Sequence, residues 1–180
     1  MMNLIFAGFG GQGVLTAGLI MGKTGVDVGK NVTWIPSYGS EMRGGTANCN
    51  VKISDGKIAS PFVTKIDILV VMNMPSLAKF EENVVSGGVV IANKTLIGQY
   101  NFRKDIQVYE VDATRIADEA ENPKGANIVM LGALAASGAM FDAEITWKGI
   151  ENFFLEKGKS NPKNELVFYT GFTETSKKEI

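Results

Sequence analysis

Two loops in this chain carry residue types and spacings suited to chemistry. The first, Gly8-Phe9-Gly10-Gly11-Gln12-Gly13, has the pattern G-x-G-x-x-G and lies between an apolar run and a helix-like stretch. The start of a helix leaves backbone donors unsatisfied and carries positive partial charge, so N–H groups here can face a ligand phosphate or a partner chain. The second loop is Ser37-Tyr38-Gly39-Ser40-Glu41-Met42-Arg43-Gly44-Gly45, and Glu41 and Arg43 are the only charges between Lys30 and Lys52. Arg43 offers a planar fork of donors to a phosphate or a carboxylate. The small residues around it let other backbone come near. The plainer alternative is an exposed loop with a weak surface ion pair, worth at most about 1 kcal/mol. Composition alone leaves both open.

The first motif is the weaker of the two as a sign of function. A dinucleotide site also needs an acid at the end of the second strand, roughly 20 residues on, to hold the ribose hydroxyls. Asp27 has the right count but falls inside the following helix, and the strand end Ile35-Pro36-Ser37-Tyr38 has no carboxylate. NAD binding is therefore disfavoured. What remains is a tight turn that binds nothing, or a turn whose N–H groups meet a phosphate or another chain.

Two absences exclude whole classes of chemistry. The chain has no histidine, which removes the commonest general base, the Ser-His-Asp and Cys-His systems, and histidine-containing metal sites. It has one cysteine, Cys49, where an iron–sulfur cluster takes about four thiolates. Any redox centre is bound in another way or lies on another chain.

The elements that must position these loops follow from the apolar pattern. The 180 residues make one domain, 45% hydrophobic and 21% charged, with 18 basic and 19 acidic side chains and a net charge of −1. That balance gives no electrostatic footprint for nucleic acid or an anionic membrane. Met1 to Gly22 is uncharged, but it lacks a basic leader region and is broken by glycines; Ala126 to Phe141 is too short to span a bilayer. A cytoplasmic location is expected. Asn3 to Ala7 reads as a buried strand and Gln12 to about Lys30 as a helix with Gly18, Gly22, Gly25 and Gly29 along one face. Such a stripe, at roughly 1 kcal/mol per glycine, implies that something packs very close.

Asn31 to Pro36 is a second strand, closed by proline. Thr46 to Ser54 alternates cleanly, and Ser54-Asp55-Gly56-Lys57 predicts a hairpin with a return strand over Lys57 to Ser60. Strand and helix then alternate: a strand at Asp67 to Met72, a helix from Pro75 to about Val85, strands at Gly88 to Asn93 and Gln107 to Val111. Asp112 is placed to cap a helix from Ala113 to Glu121. Helices follow at Asn127 to Met140, apolar almost all round, and at Ile145 to Lys157. Asn164 to Phe172 is ambiguous, and the tail from about Thr173 is expected to fray. The fold class is α/β: one Rossmann-like domain over residues 1–180, a mixed sheet flanked by helices with an inserted antiparallel hairpin.

The two loops together, with Thr46-Ala47 after the second, resemble the γ subunit of 2-oxoacid:ferredoxin oxidoreductases. The resemblance continues through Asp67-Ile68-Leu69-Val70, Asn127-Ile128-Val129-Met130-Leu131-Gly132-Ala133 and the segment from Asn164 to Gly171. In fused family members this region is one domain of a longer chain. The Arg-Gly-Gly-Thr-Ala form is more similar to the 2-oxoglutarate and 2-oxoisovalerate enzymes than to the pyruvate ones. The resemblance implies a holoenzyme that decarboxylates a 2-oxoacid on thiamine diphosphate with Mg, passes electrons through iron–sulfur clusters to ferredoxin, and releases an acyl-coenzyme A. It implies α, β and δ-type sister subunits that hold those cofactors, and none bound by this chain alone. It also implies a cofactor-binding or active-site-entrance surface made of Gly8, Gly10, Gly11, Gln12, Gly13, Tyr38, Gly39, Ser40, Glu41, Arg43, Gly44 and Gly45, with no bond-making residue and no metal ligand. Arg43 can meet a coenzyme A phosphate, a substrate carboxylate or a partner carboxylate. A stand-alone nucleotide-binding enzyme and a purely structural assembly module are the other readings.

Overall fold

The apolar run at residues 4–7 alternates between two cores, and that alternation sets the architecture. Leu4 and Phe6 face one side of a sheet, Ile5 and Ala7 the other. The computed structural model describes residues 1–38 and 46–180. Its strands are β1 (Met2–Phe9), β2 (Asn31–Tyr38), β3 (Thr46–Ser54), β4 (Ile66–Val71), β5 (Val84–Asn93), β6 (Gln107–Val111) and β7 (Ser176–Lys178). Its helices are α1 (Val14–Asp27), α2 (Met74–Phe80), α3 (Lys94–Ile97), α4 (Ala113–Glu119), α5 (Ala126–Ala136), α6 (Ala143–Leu155) and α7 (Lys163–Glu174). The strand order is β2-β3-β1-β4-β5-β6-β7. β1, β4, β5 and β6 run parallel; β3 is antiparallel to both β1 and β2, and β7 is antiparallel to β6. The larger core joins α1, α4, α5, α6 and α7 to one face, the smaller joins α2 and α3 to the other.

The glycine stripe of α1 lies against the β2–β3 hairpin. A methyl group at Gly18 would collide with Cys49 Sγ and approach the Phe6 ring to 3.2 Å; at Gly25 it would stand 3.0 Å from Val32 and 3.3 Å from Ile53. Gly29 is not part of that contact: it closes the helix end at φ 79°.

The hairpin itself is not where Asp55-Gly56 predicts it. No return strand forms at residues 57–60; β3 pairs instead with the preceding β2, across the loop 39–45. The reason is edge occupancy. β3 already has β2 on one side and β1 on the other, so a strand after Gly56 finds no free side of β3 to fold back on. The Asp-Gly corner is tied to the start of β2 by the Lys30–Asp55 ion pair and by Asn31 Nδ2 donating to the Asp55 carbonyl at 3.1 Å.

Other boundaries also move. β2 runs through Pro36, which an edge strand tolerates. α2 stops at Phe80, a short 3-10 turn covers Glu81–Asn83, and β5 begins at Val84. Asp112 sits at the start of α4 without capping it; its carboxylate is turned to Thr95 Oγ1 at 3.4 Å and to Arg115 at 3.9 Å. α5 ends at Ala136. The ambiguous segment is the helix α7, and the chain beyond it does not fray but adds β7 to the sheet. Lys178 there pairs with the largely buried Glu110 at 2.9 Å.

Cys49 is fully buried in β3. Desolvation pushes its pKa from 9.0 up to about 12. Below about pH 9 the thiol is protonated in both folded and unfolded chains. Between about 9 and about 12 the unfolded chain ionises and the folded chain does not, so stability should fall by about 1.4 kcal/mol per pH unit from this group. Denaturant unfolding at pH 8 and pH 10.5 of the wild type beside Cys49→Ala isolates it: the wild type should lose more. In the same conditions near neutral pH, thiol reagents should label Cys49 only on unfolding. Labelling of the folded chain at the rate of a free thiol would contradict the burial argument.

Candidate functional site

The sheet brings both loops to one edge. In register, Phe9 lies opposite Thr46 and Tyr38 opposite Ala47. The glycine turn after β1 and both ends of the loop 39–45 therefore leave the sheet side by side, at the carboxyl end of β1, where open α/β sheets place their binding crevice. Gly39, Ser40, Glu41, Arg43, Gly44 and Gly45 lie outside the described residues.

The turn is held from inside by its own glutamine. Gln12 N–H donates to the Phe9 carbonyl at 3.1 Å, and Gln12 Oε1 accepts from Phe9 N–H at 2.7 Å. That oxygen also accepts from Asn73 Nδ2 at 2.9 Å. Gly11 and Gly13 have φ of 97° and 73°, a left-handed backbone that glycine adopts without strain. Gly13 precedes α1; among the described residues no side chain caps that helix start, and no acid stands in its first turn. Gly13 also admits Asn127: a Cβ there would fall 2.6 Å from Asn127 Nδ2, which donates to the Gly13 carbonyl at 3.1 Å. Gly8 lies under the turn, where a Cβ would stand 2.7 Å from Gln12 Oε1.

Beside the turn is a cleft. Among the described residues it is lined by Phe9, Gly10, Gly11, Gly13, Val14, Leu15, Thr16, Tyr38 and Ala47. Tyr38 is 72% exposed, a large aromatic left facing solvent at the mouth of a cleft. The described structure thus joins Gly10, Gly11, Gly13 and Tyr38 in one cleft. Gln12 does not line it; it braces the turn from behind.

The buried amides are what the sequence analysis overlooked. Asn73, Asn93 and Asn127 are all nearly inaccessible and all act at this edge. Asn73 Oδ1 caps α2 by accepting from Ser76 N–H at 3.0 Å. Asn93 Nδ2 donates to Thr114 Oγ1 at 2.9 Å and to the Met72 carbonyl at 3.3 Å. Asn73 had a readable signal, since Asn followed by Pro75 marks a helix start. Asn93 and Asn127 had none, because each ends or opens an apolar run.

The topology separates this turn from a dinucleotide fold. There the second strand lies beside the first and brings its acid to the glycine turn. Here β3 intervenes, so β2 stands two strand spacings from β1, roughly 10 Å. Its end carries Ser37 and Tyr38. Calorimetry with NAD and NADP should accordingly give no micromolar binding; a dissociation constant of about 1 μM, near −8 kcal/mol, would sink this reading.

Among the described residues the donor set does not fit an iron–sulfur cluster or a metal-bound diphosphate. No group of three His, Cys, Asp or Glu side chains among them is placed to hold a metal ion, and Cys49 is a buried thiol. Among them, too, no helix is long and apolar enough to cross a membrane.

The mixed sheet, the glycine turn and the aromatic-mouthed cleft define an α/β domain whose strand order departs from that of a dinucleotide-binding fold. The chain belongs to the pyruvate ferredoxin/flavodoxin oxidoreductase family, whose pattern it matches over residues 3–174. It is 37% identical over 169 residues to the 2-oxoglutarate synthase subunit KorC of Methanocaldococcus jannaschii, which covers 92% of this chain and 89% of that one. It is 36% identical over 166 residues to the ketoisovalerate oxidoreductase subunit VorA of Methanothermobacter thermautotrophicus; there the match covers 92% of this chain and only 34% of the relative. The chain therefore spans about a third of that relative's length. Among solved structures, the γ subunit of a keto/oxoacid ferredoxin oxidoreductase from Geobacter sulfurreducens is similar with a TM-score of 0.76 and 25% identity, over 97% of this chain and 98% of that one.

Proposed function

We propose that this chain is the γ subunit of a thiamine-diphosphate-dependent 2-oxoacid:ferredoxin oxidoreductase that works with α, β and δ-type sister subunits. The complex oxidatively decarboxylates 2-oxoglutarate, transfers the acyl group to coenzyme A and passes the electrons to ferredoxin. The observation that carries this reading is the near end-to-end match to a 2-oxoglutarate synthase subunit. Thiamine diphosphate, Mg and the clusters belong in this reading to the sister chains, because the chain has a single cysteine and no group among the described residues is placed to hold a metal ion.

The role left to this chain is to complete the entrance to the active site. Gly8 to Gly13 and the loop from Tyr38 to Gly45 form that surface. The turn contributes fixed N–H donors, the loop contributes the guanidinium of Arg43, and Tyr38 supplies an exposed aromatic wall. These groups bind and orient; none makes or breaks a bond. A cytoplasmic location accompanies the proposal, since ferredoxin and coenzyme A are soluble reactants.

A second reading keeps the subunit and changes the substrate to 2-oxoisovalerate. It is favoured by 40% identity over 132 residues to the VorA subunit of Methanothermobacter marburgensis. The two are separated by coenzyme A-dependent ferredoxin reduction on the reconstituted complex with 2-oxoglutarate, 2-oxoisovalerate and pyruvate. The proposal expects the highest kcat/KM with 2-oxoglutarate. A higher value with either of the other acids would replace that substrate.

A further inference from the structure

The amides behind the turn form a connected chain. Asn73 follows the last residues of β4, and its two side-chain atoms have different duties. Oδ1 accepts from Ser76 N–H and starts α2; Nδ2 donates to Gln12 Oε1 across the edge of the sheet. Gln12 Oε1 in turn holds Phe9 N–H at 2.7 Å. Met72, the neighbour of Asn73, is fixed on both sides, its N–H to the Ala7 carbonyl at 2.9 Å and its own carbonyl to Asn93 Nδ2. Asn73 is 3% exposed, so water cannot replace either of its bonds.

From this arrangement we infer that Asn73 is a positioning residue for the glycine turn, through Gln12. The inference rests on the reading above that the turn borders the active site. One side chain clamps the start of α2 and the inside of the turn, so the angle at which Gly10 and Gly11 face the cleft is fixed by β4 and not by the turn alone. An asparagine is needed because the site asks for one acceptor and one donor on the same planar group. Aspartate would keep the cap, being a good N-cap itself, but would set an acceptor against Gln12 Oε1. Gln12 then either rotates its amide and abandons Phe9 N–H, or keeps Phe9 and is pushed from its place. The first outcome costs the turn one of its two internal bonds and the second displaces the turn itself, while α2 keeps its start.

The test uses Asn73→Asp and Asn73→Ala in the full chain and in the reconstituted complex. Hydrogen exchange on the full chain reports the turn directly; thermal unfolding reports the fold; steady-state kinetics with varied coenzyme A and 2-oxoacid report turnover. For Asn73→Asp the expected result is faster exchange at residues 9–13, little local change in the exchange of α2, a Tm lower by several degrees because a buried acceptor is left unpaired, normal subunit content, and roughly a tenfold change in kcat or in one KM only. Asn73→Ala should lose the α2 protection as well. Unchanged exchange at residues 9–13 in Asn73→Asp would overturn the inference whatever the kinetics. Faster exchange there with turnover untouched would uphold the clamp and overturn instead the placing of the turn at the active site.

Discussion

Gly132→Ala is expected to destabilise the chain by about 3 kcal/mol, with Tm lower by roughly 6–12 °C for a domain of this size. The sign is the informative part. In an ordinary helix interior the same change stabilises by about 1 kcal/mol, because alanine loses less backbone entropy. Gly132 lies in α5, and α5 is buried over almost its whole length. At this point α7 passes so close that a Cβ would overlap the Phe168 carbonyl oxygen and stand 2.9 Å from Phe172 N. Both are backbone atoms within a helix and cannot rotate aside. The contact is reciprocal, since a Cβ at Gly171 of α7 would overlap the Val129 carbonyl oxygen and approach Val129 Cγ1 to 2.8 Å. Gly56→Ala is the control. Its Cβ would meet nothing within 4 Å, so its effect should stay within about 0.5 kcal/mol. Scanning calorimetry of both variants decides the matter; a Gly132→Ala chain as stable as the wild type would mean that the two helices do not cross here.

Arg43→Ala should reduce turnover or coenzyme A affinity of the assembled enzyme by roughly 10- to 150-fold, with little effect on the fold. The argument begins from where the loop leaves the sheet. Tyr38 and Ala47 are paired, and Thr46 is paired with Phe9, so the chain carrying Arg43 starts and ends beside the glycine turn. Arg43 stands in a glycine-rich stretch of the sequence, and a substitution that removes no core contact changes stability by within about 0.5 kcal/mol. A guanidinium bonded to a phosphate or carboxylate in the reacting complex contributes about 1.5–3 kcal/mol through charge-assisted hydrogen bonds, which gives the stated range in rate or affinity. Arg43→Lys should recover only part, because an ammonium lacks the planar fork. Kinetics with varied coenzyme A and varied 2-oxoacid, beside gel filtration for subunit content, give the answer. Failed assembly with an intact chain would make Arg43 an interface residue and favour a purely structural module. Normal kinetics and normal assembly would remove it from the site.

Much of this fold is legible in the residues, and the exceptions share a cause. The strands β1 and β4 and the helix α1 announce themselves by local apolar pattern and turn chemistry. The glycine stripe signals a close neighbour, and Gly18, Gly22 and Gly25 do lie against the β2–β3 pair, while Gly29 only ends the helix. The Asp55-Gly56 signal misleads because hairpin propensity is local, while a free edge on β3 is a property of the whole sheet. The tail misleads in the opposite sense: residues 176–178 are polar and short, and only the waiting edge of β6, with Glu110 for Lys178, orders them. At the site, the glycine turn and Tyr38 could be placed from spacing. Gln12 could be named, but its duty as an internal brace depends on Asn73, 61 residues away, and no periodicity encodes a contact of that range.

The central claim is that this chain completes a 2-oxoacid:ferredoxin oxidoreductase without carrying its cofactors. It is tested most directly by omission and return. The sister subunits are purified without this chain and assayed for coenzyme A-dependent reduction of ferredoxin by 2-oxoglutarate, and the separately purified chain is then added back. The account predicts a chain that is colourless and inactive alone, a low rate without it, and recovery of activity together with co-elution in fixed proportion once it is added. Full activity in its absence, or an iron–sulfur absorbance bound stoichiometrically to this chain alone, would contradict it.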